Sequence, residues 1–266
     1  MSMISAVEEG EIDMVSKSKI QVVAVSDYEE LSREAARRII AVVRQHPASV
    51  LGLATGSTPE GTYRELVRDH EEQGTSYHQV TTFNLDEYVG LAANDPHSYH
   101  TYMDQHLFRH LDIPQGNTHL PDGSAEKPEA ECRRYEEMIR QAGGIDLQLL
   151  GIGVNGHIGF NEPGTPFSSE TQVVQLDEST RQANQIHFED PQQVPTHAIT
   201  MGMATILKSR GILLLASGAK KAPVLQRLLT ETEITPDLPA SILRSHEDVT
   251  LIADQEALSL VEADLG

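Results

Sequence analysis

Along most of the chain, short runs of aliphatic and β-branched residues alternate with longer stretches whose apolar residues recur every three or four positions. The first pattern predicts strands over Ile20–Val25, Ser49–Ala54, Val80–Leu85, Ile145–Gly151, Val173–Leu176, Gly211–Ala216 and Val249–Ala253. The second predicts helices over Tyr28–Arg44, Pro59–Glu72, Pro96–His110, Ala125–Ala142, Lys220–Leu229 and Gln255–Glu262. In the first helix Leu31, Ala35, Ile39 and Val42 or Val43 form the apolar stripe; in the second Tyr63, Leu66 and Val67 do. Strands alternating with amphipathic helices predict an α/β fold: one domain, an open, mostly parallel sheet with helices on both faces, Rossmann-like. Residues 161–185 carry prolines, a glycine and several hydroxyl residues without a clear period, and read as a mobile excursion. Residues 1–18, with Glu8, Glu9, Glu11 and Asp13 and little apolar content, read as a disordered acidic tail preceding a folded unit over 19–266.

Composition narrows the function. A formal charge of −20 over 266 residues argues against nucleic acid, whose phosphates need clustered Lys and Arg. No run of eighteen apolar residues could span a bilayer, and Met1–Ser18 lacks the basic and apolar segments of a secretory signal. The single cysteine, Cys132, permits no internal disulfide, so a cytoplasmic protein with a structural thiol is expected. An acidic chain that binds an anion must also concentrate cations and N–H donors locally.

Three loops at strand ends carry the candidate chemistry. LGLATGSTP (51–59) joins a strand to a helix; Gly56 permits a tight turn, Ser57 or Thr58 can cap the helix, and Pro59 suits its first position. Its exposed N–H groups and helix dipole suit an anion, although the loop lacks the Gly-Lys-Ser/Thr ending of a nucleotide P-loop. Alone, it fits a well-capped helix as readily as a phosphate cradle. FNLDEYVG (83–90) presents two adjacent carboxylates that leave a strand end in different directions, so one can face a ligand while the other holds structure. The apolar neighbours Leu85, Tyr88 and Val89 could raise a carboxyl pKa toward that of a general base; a turn acid is the bland alternative.

GIGVNGHIGFNEP (151–163) places glycines 151, 153 and 156 around Asn155, His157 and Glu162, with room for sharp turns and close ligand approach. An imidazole there can move protons near neutral pH. Lys220 and Lys221, at a helix start after another strand, form a second candidate anion site, and Arg181 lies in the irregular excursion. His97, His100, His106 and His110 recur at helical spacing, but no HExxH motif or cysteine accompanies them, and no metal is expected.

With these strings in order, joined by PHSY (96–99) and TRQAN (180–184), the chain resembles the glucosamine-6-phosphate deaminase (isomerase) family from about Val50 to Ala253. The resemblance implies conversion of glucosamine 6-phosphate and water to fructose 6-phosphate and ammonia, a carbon–nitrogen hydrolysis with isomerisation, without metal or organic cofactor. It implies that His157, oriented by Asn155 and Glu162, opens the sugar ring. Asp86 moves the proton from C2 to C1, and Gly56, Ser57, Thr58, Arg181 and Lys221 hold the phosphate. The expected partner is a small phosphorylated amino sugar, with no nucleic acid or membrane; monomer and homo-oligomer both stay open.

Two departures stand out. Asn155 occupies a position where many members carry Asp, which leaves Glu162 to supply the charge beside His157. The stretch Thr171–Leu176 lacks the basic residues of allosteric members, so no activation by N-acetylglucosamine 6-phosphate is expected. The rivals are a 6-phosphogluconolactonase, which shares the Gly-His loop but has Ala-Ser-Leu-Phe-Pro-Gly after the His where this chain reads Ile158-Gly-Phe-Asn-Glu-Pro163, and a non-catalytic sugar-phosphate sensor. Glu162 favours the deaminase over the first, and retention of Asp86, His157 and Glu162 disfavours the second.

Overall fold

The computed structural model describes residues 20–177 and 194–263, with side chains to residue 261. In chain order the described strands are β1 (Ile20–Val25), β2 (Val50–Leu53), β3 (Thr81–Asn84), β4 (Asp86–Tyr88), β5 (Thr118–His119), β6 (Leu147–Gly151), β7 (Gln172–Gln175), β8 (His197–Thr200), β9 (Gly211–Ala216) and β10 (Val249–Asp254). The α-helices are α1 (Tyr28–Gln45), α2 (Ser57–Gln73), α3 (Tyr99–His106), α4 (Pro128–Gln141), α5 (Met203–Leu207), α6 (Ala222–Thr230) and α7 (Gln255–Ala263).

Seven strands form one sheet in the order β1-β10-β9-β6-β2-β3-β5, and every pairing in it is parallel. Strands β2, β9 and β10 are buried at every residue, as expected of parallel strands covered on both faces. Successive side chains alternate between two cores. Leu51, Leu53, Leu213, Leu215 and Ile252 pack with Leu31 of α1, Tyr63 of α2 and Met103 of α3. Val50, Phe83, Leu150, Leu214 and Leu251 pack instead with Tyr135 of α4, Ile206 of α5, Leu225 of α6 and Ala257 of α7. In α1 the stripe closes on Val43, which is buried, rather than Val42. Among the described residues no helix is long and apolar enough to cross a membrane.

The chain runs from β2 to β3 on one side of the sheet and from β6 to β9 on the other, so the adjacent carboxyl ends of β2 and β6 flank a topological switch point. Ligands bind at such crevices in open α/β sheets.

Several expectations need correction. The strand expected at 173–176 belongs not to the parallel sheet but to a separate antiparallel sheet ordered β4-β8-β7, in which Asp86 pairs with Thr200. Much of the supposed excursion is built in: Asn161 is fully buried and donates through Nδ2 to Ile158 O at 2.9 Å and Met201 O at 2.8 Å. Residues 178–193 and the acidic tail lie outside the described residues. The helix expected from Pro96 begins only at Tyr99, because Ser98 caps it by accepting from Thr101 N, and it gives way to a 3-10 turn at Phe108. The helix expected from Ala125 begins at Pro128, where a proline is suited to the first turn. Cys132 lies buried on α4, and burial pushes its thiol up to about 11.

Candidate active site

A cavity of about 760 Å3 opens at the switch point, lined by the ends of β2 and β6, by β4 and by α3. Four neighbouring strands deliver its chemistry.

Beyond β3 the chain continues directly into β4, where alternation sends Asp86 and Glu87 to opposite sides. Asp86 lines the cavity while only 6% exposed. Burial, and secondarily the Glu87 carboxylate beside it, raise its pKa to about 8. Glu87 turns away and accepts the backbone N–H groups of Tyr99 and His100 at the start of α3. The adjacent acids therefore divide as their alternation suggests, one facing the cavity and one holding a helix.

The loop after β6 folds back so that His157, Asn155 and Glu162 converge. Asn155 donates through Nδ2 to Glu162 Oε2 at 2.7 Å and accepts from His157 N at 3.2 Å. His157 Nδ1 stands 3.2 Å from Glu162 Oε2, at ion-pair distance but outside hydrogen-bond geometry. Asn155 thus fixes the carboxylate and the loop backbone, and the carboxylate faces the imidazole.

The glycines here work differently from the expectation. Of Gly151, Gly153 and Gly156, only Gly156 has positive φ, at 89°. Gly153 matters for space: a Cβ there would lie 2.3 Å from His157 Cε1. Gly159, at φ 57°, lies close under Asp86, where an added Cβ would come within 3.6 Å of Oδ2.

At the end of β2, Gly56 itself caps α2 with φ 97°, and no side chain caps the helix. Ser57 and Thr58 are therefore the first helical residues, and Pro59 stands third rather than first. The loop is fixed from behind: Tyr102 donates to Gly56 O at 2.7 Å and Tyr28 to Ser57 O at 2.9 Å. Gly56, Ser57 and Thr58 consequently present the positive end of a 17-residue helix to the cavity.

Of the two lysines beyond β9, Lys221 lines the cavity and Lys220 is exposed outside it. Lys221 donates through Nζ to Ile152 O at 2.6 Å, and burial, with Lys220 secondarily, lowers its pKa. Its loop is held by Asp254, which accepts from Ser217 Oγ at 2.5 Å and Gly218 N at 3.0 Å. Arg181 lies outside the described residues.

Tyr28, Tyr102 and Asp254 escaped the sequence reading. No local spacing marks a tyrosine that reaches a loop 46 residues away, as Tyr102 does. His97 and His106 line the cavity, but His100 points to Glu87, so the histidines of this region do not converge. Among the described residues no three His, Cys, Asp or Glu side chains are grouped to hold a metal ion.

The arrangement brings a buried carboxyl group, an imidazole with a carboxylate facing it, a helix N-terminus and a lysine to one cavity. Such a set is suited to proton transfer near an anion.

Comparison with known proteins agrees with this description. Residues 26–252 match the family model of glucosamine-6-phosphate isomerases/6-phosphogluconolactonase, and the chain belongs to that family. It is 60% identical over 242 residues to a glucosamine-6-phosphate deaminase of Geobacillus sp., covering 91% of this chain and 96% of that protein. It is 52% identical to glucosamine-6-phosphate deaminase 1 of Bacillus subtilis, covering 91% of this chain and 99% of that one. Among solved structures, a monomeric glucosamine-6-phosphate deaminase superposes with a TM-score of 0.88 at 53% identity, covering 90% of this chain and 99% of that chain.

Proposed function

We propose that this chain converts glucosamine 6-phosphate and water to fructose 6-phosphate and ammonia. The observation that carries the reading is the buried Asp86 carboxyl group in one cavity with the Asn155–Glu162–His157 cluster and the α2 N-terminus. Relatives that bear the deaminase name at 60% and 52% identity support the same reading.

The phosphate sits against Gly56, Ser57 and Thr58 with Lys221 beside it, and Arg181 is assigned to the same task by family resemblance. His157 carries a proton from the anomeric hydroxyl to the ring oxygen, which opens the pyranose; Glu162 balances the charge that the imidazole gains in transit. Asp86 removes the C2 proton of the open-chain aldehyde, leaving an enolamine, and a proton is returned to C1. The resulting C2 iminium adds water, and the carbinolamine expels ammonia to leave the ketone. Burial raises the pKa of Asp86, and that high basicity makes its ionised carboxylate a strong proton acceptor.

By resemblance to the family, no metal or organic cofactor is assigned to the reaction. We assign the protein to carbon–nitrogen hydrolysis with isomerisation, to amino-sugar catabolism and to the cytoplasm. Supplying glucosamine 6-phosphate and 6-phosphogluconolactone separately tests the reading. Equimolar ammonia and fructose 6-phosphate from the first are expected; lactone hydrolysis without ammonia release would overturn it.

A further inference from the structure

Glu87 is 1% exposed, yet no step of the proposed reaction uses it. Three backbone N–H groups and an imidazole converge on it: Oε1 accepts from Tyr88 N and Tyr99 N, both at 2.9 Å, Oε2 accepts from His100 N at 3.0 Å, and His100 Nδ1 lies 2.8 Å from Oε2. A carboxylate with both oxygens accepting satisfies the three backbone donors.

The Glu87–His100 couple joins two parts of the site: Glu87 follows Asp86 on β4, while Tyr99 and His100 begin α3, whose Tyr99, Tyr102, Gln105 and His106 wall the cavity. The junction is closed over by rings: Tyr99 stacks on Phe160 at 6.3 Å between centroids, and its hydroxyl donates to that of Tyr88 at 3.1 Å.

We propose that Glu87 and His100 are positioning residues for Asp86: they fasten the α3 wall to the strand bearing the reacting carboxyl group and so set how readily that group ionises. The inference rests on the reading of Asp86 as the base.

The phenols around Asp86 stay uncharged in the working range. Tyr63 of α2, Tyr99 of α3, Tyr135 of α4 and Tyr88 of the same strand interact with it, and burial holds all four phenols above their ordinary pKa. His157 and Lys221 line the same cavity, and their contacts run to Glu162 and Ile152. Within reach on its own strand, Glu87 is the charge that raises Asp86.

The test is a carbon-13 titration of the Asp86 carboxyl carbon in the free protein, assigned by its loss in Asp86→Asn. It is repeated in Glu87→Gln and His100→Gln, with pH profiles of kcat/KM alongside. Removing the Glu87 charge should move the Asp86 midpoint, and the acid limb of kcat/KM with it, to lower pH. Removing the imidazole takes away a hydrogen-bond partner of the Glu87 carboxylate and should move both to higher pH. A purely structural role would lower kcat or melting temperature and leave the midpoint in place, so an unchanged midpoint in either variant overturns the proposal. Should Glu87→Gln fail to fold, substitution of the half-buried His100 by Gln decides alone. The titration needs no substrate, so it still reads the couple if no ammonia is formed; absence of ammonia would instead sink the proposed function.

Discussion

The His157 imidazole lies over Gly153, so close that a Cβ at residue 153 would stand 2.3 Å from Cε1 and 2.5 Å from Nδ1. Gly153→Ala should push the ring away from Glu162 while leaving the phosphate loop on β2 untouched. A displacement of about 1 Å at a reacting group costs on the order of 10²-fold in rate. We therefore expect kcat to fall by about that factor with KM nearly unchanged, as steady-state kinetics will show. Wild-type kcat in this variant would remove His157 from the reaction.

Asp86 should make stability fall with rising pH. Its folded pKa, about 8, lies above the unfolded value of 3.8, so between those pH values the folded state holds a proton the unfolded chain has released. Each unit of difference is worth about 1.4 kcal/mol. Asp86→Asn abolishes this linkage. Its melting temperature should exceed wild type above pH 8, and the gap should narrow steadily as the pH falls toward 4. Parallel melting curves across that window would show that the carboxyl group is not held protonated.

Lys221 lines the cavity, and the proposed function assigns it to the phosphate. Lys221→Met should raise KM for glucosamine 6-phosphate roughly 10- to 100-fold, the equivalent of a charge-assisted hydrogen bond of about 1.5–3 kcal/mol. The effect on kcat should be smaller. Equal affinity for phosphorylated and unphosphorylated sugar in the wild type would place the phosphate elsewhere.

Tyr102 acts on the same loop from behind through its 2.7 Å bond to Gly56 O. Tyr102→Phe removes a bond worth about 1 kcal/mol and leaves the ring against His106, so KM should rise by roughly fivefold. An unchanged KM would mean that Gly56 holds its conformation without the tyrosine.

The sheet was legible because β2, β9 and β10 are buried throughout and read as continuous apolar runs, while α1 shows its stripe openly. The antiparallel sheet was not. Its strands are three or four residues long, and sequences such as Asp86–Tyr88 carry charge where a strand signal would need apolar residues. The loops of the site were visible as glycine-rich strand ends, and the division of labour between Asp86 and Glu87 followed from alternation. Which of the two faces the cavity depends on α3, whose N-terminus supplies the N–H groups for Glu87. The role of Gly153 depends on the return of a side chain four residues later, and Asp254 and Tyr28 reach the site from distant segments. None of these leaves a local trace.

The most direct measurement follows the C2 hydrogen itself. Glucosamine 6-phosphate deuterated at C2 is incubated at pH 8 with wild type and with Asp86→Asn, and cleavage of the C2–deuterium bond is followed by NMR while calorimetry checks binding. The wild type should break that bond as ammonia appears; the variant should bind the sugar phosphate with similar affinity and leave the bond intact. Continued cleavage in the folded, substrate-binding variant would contradict the assignment of Asp86 as the base.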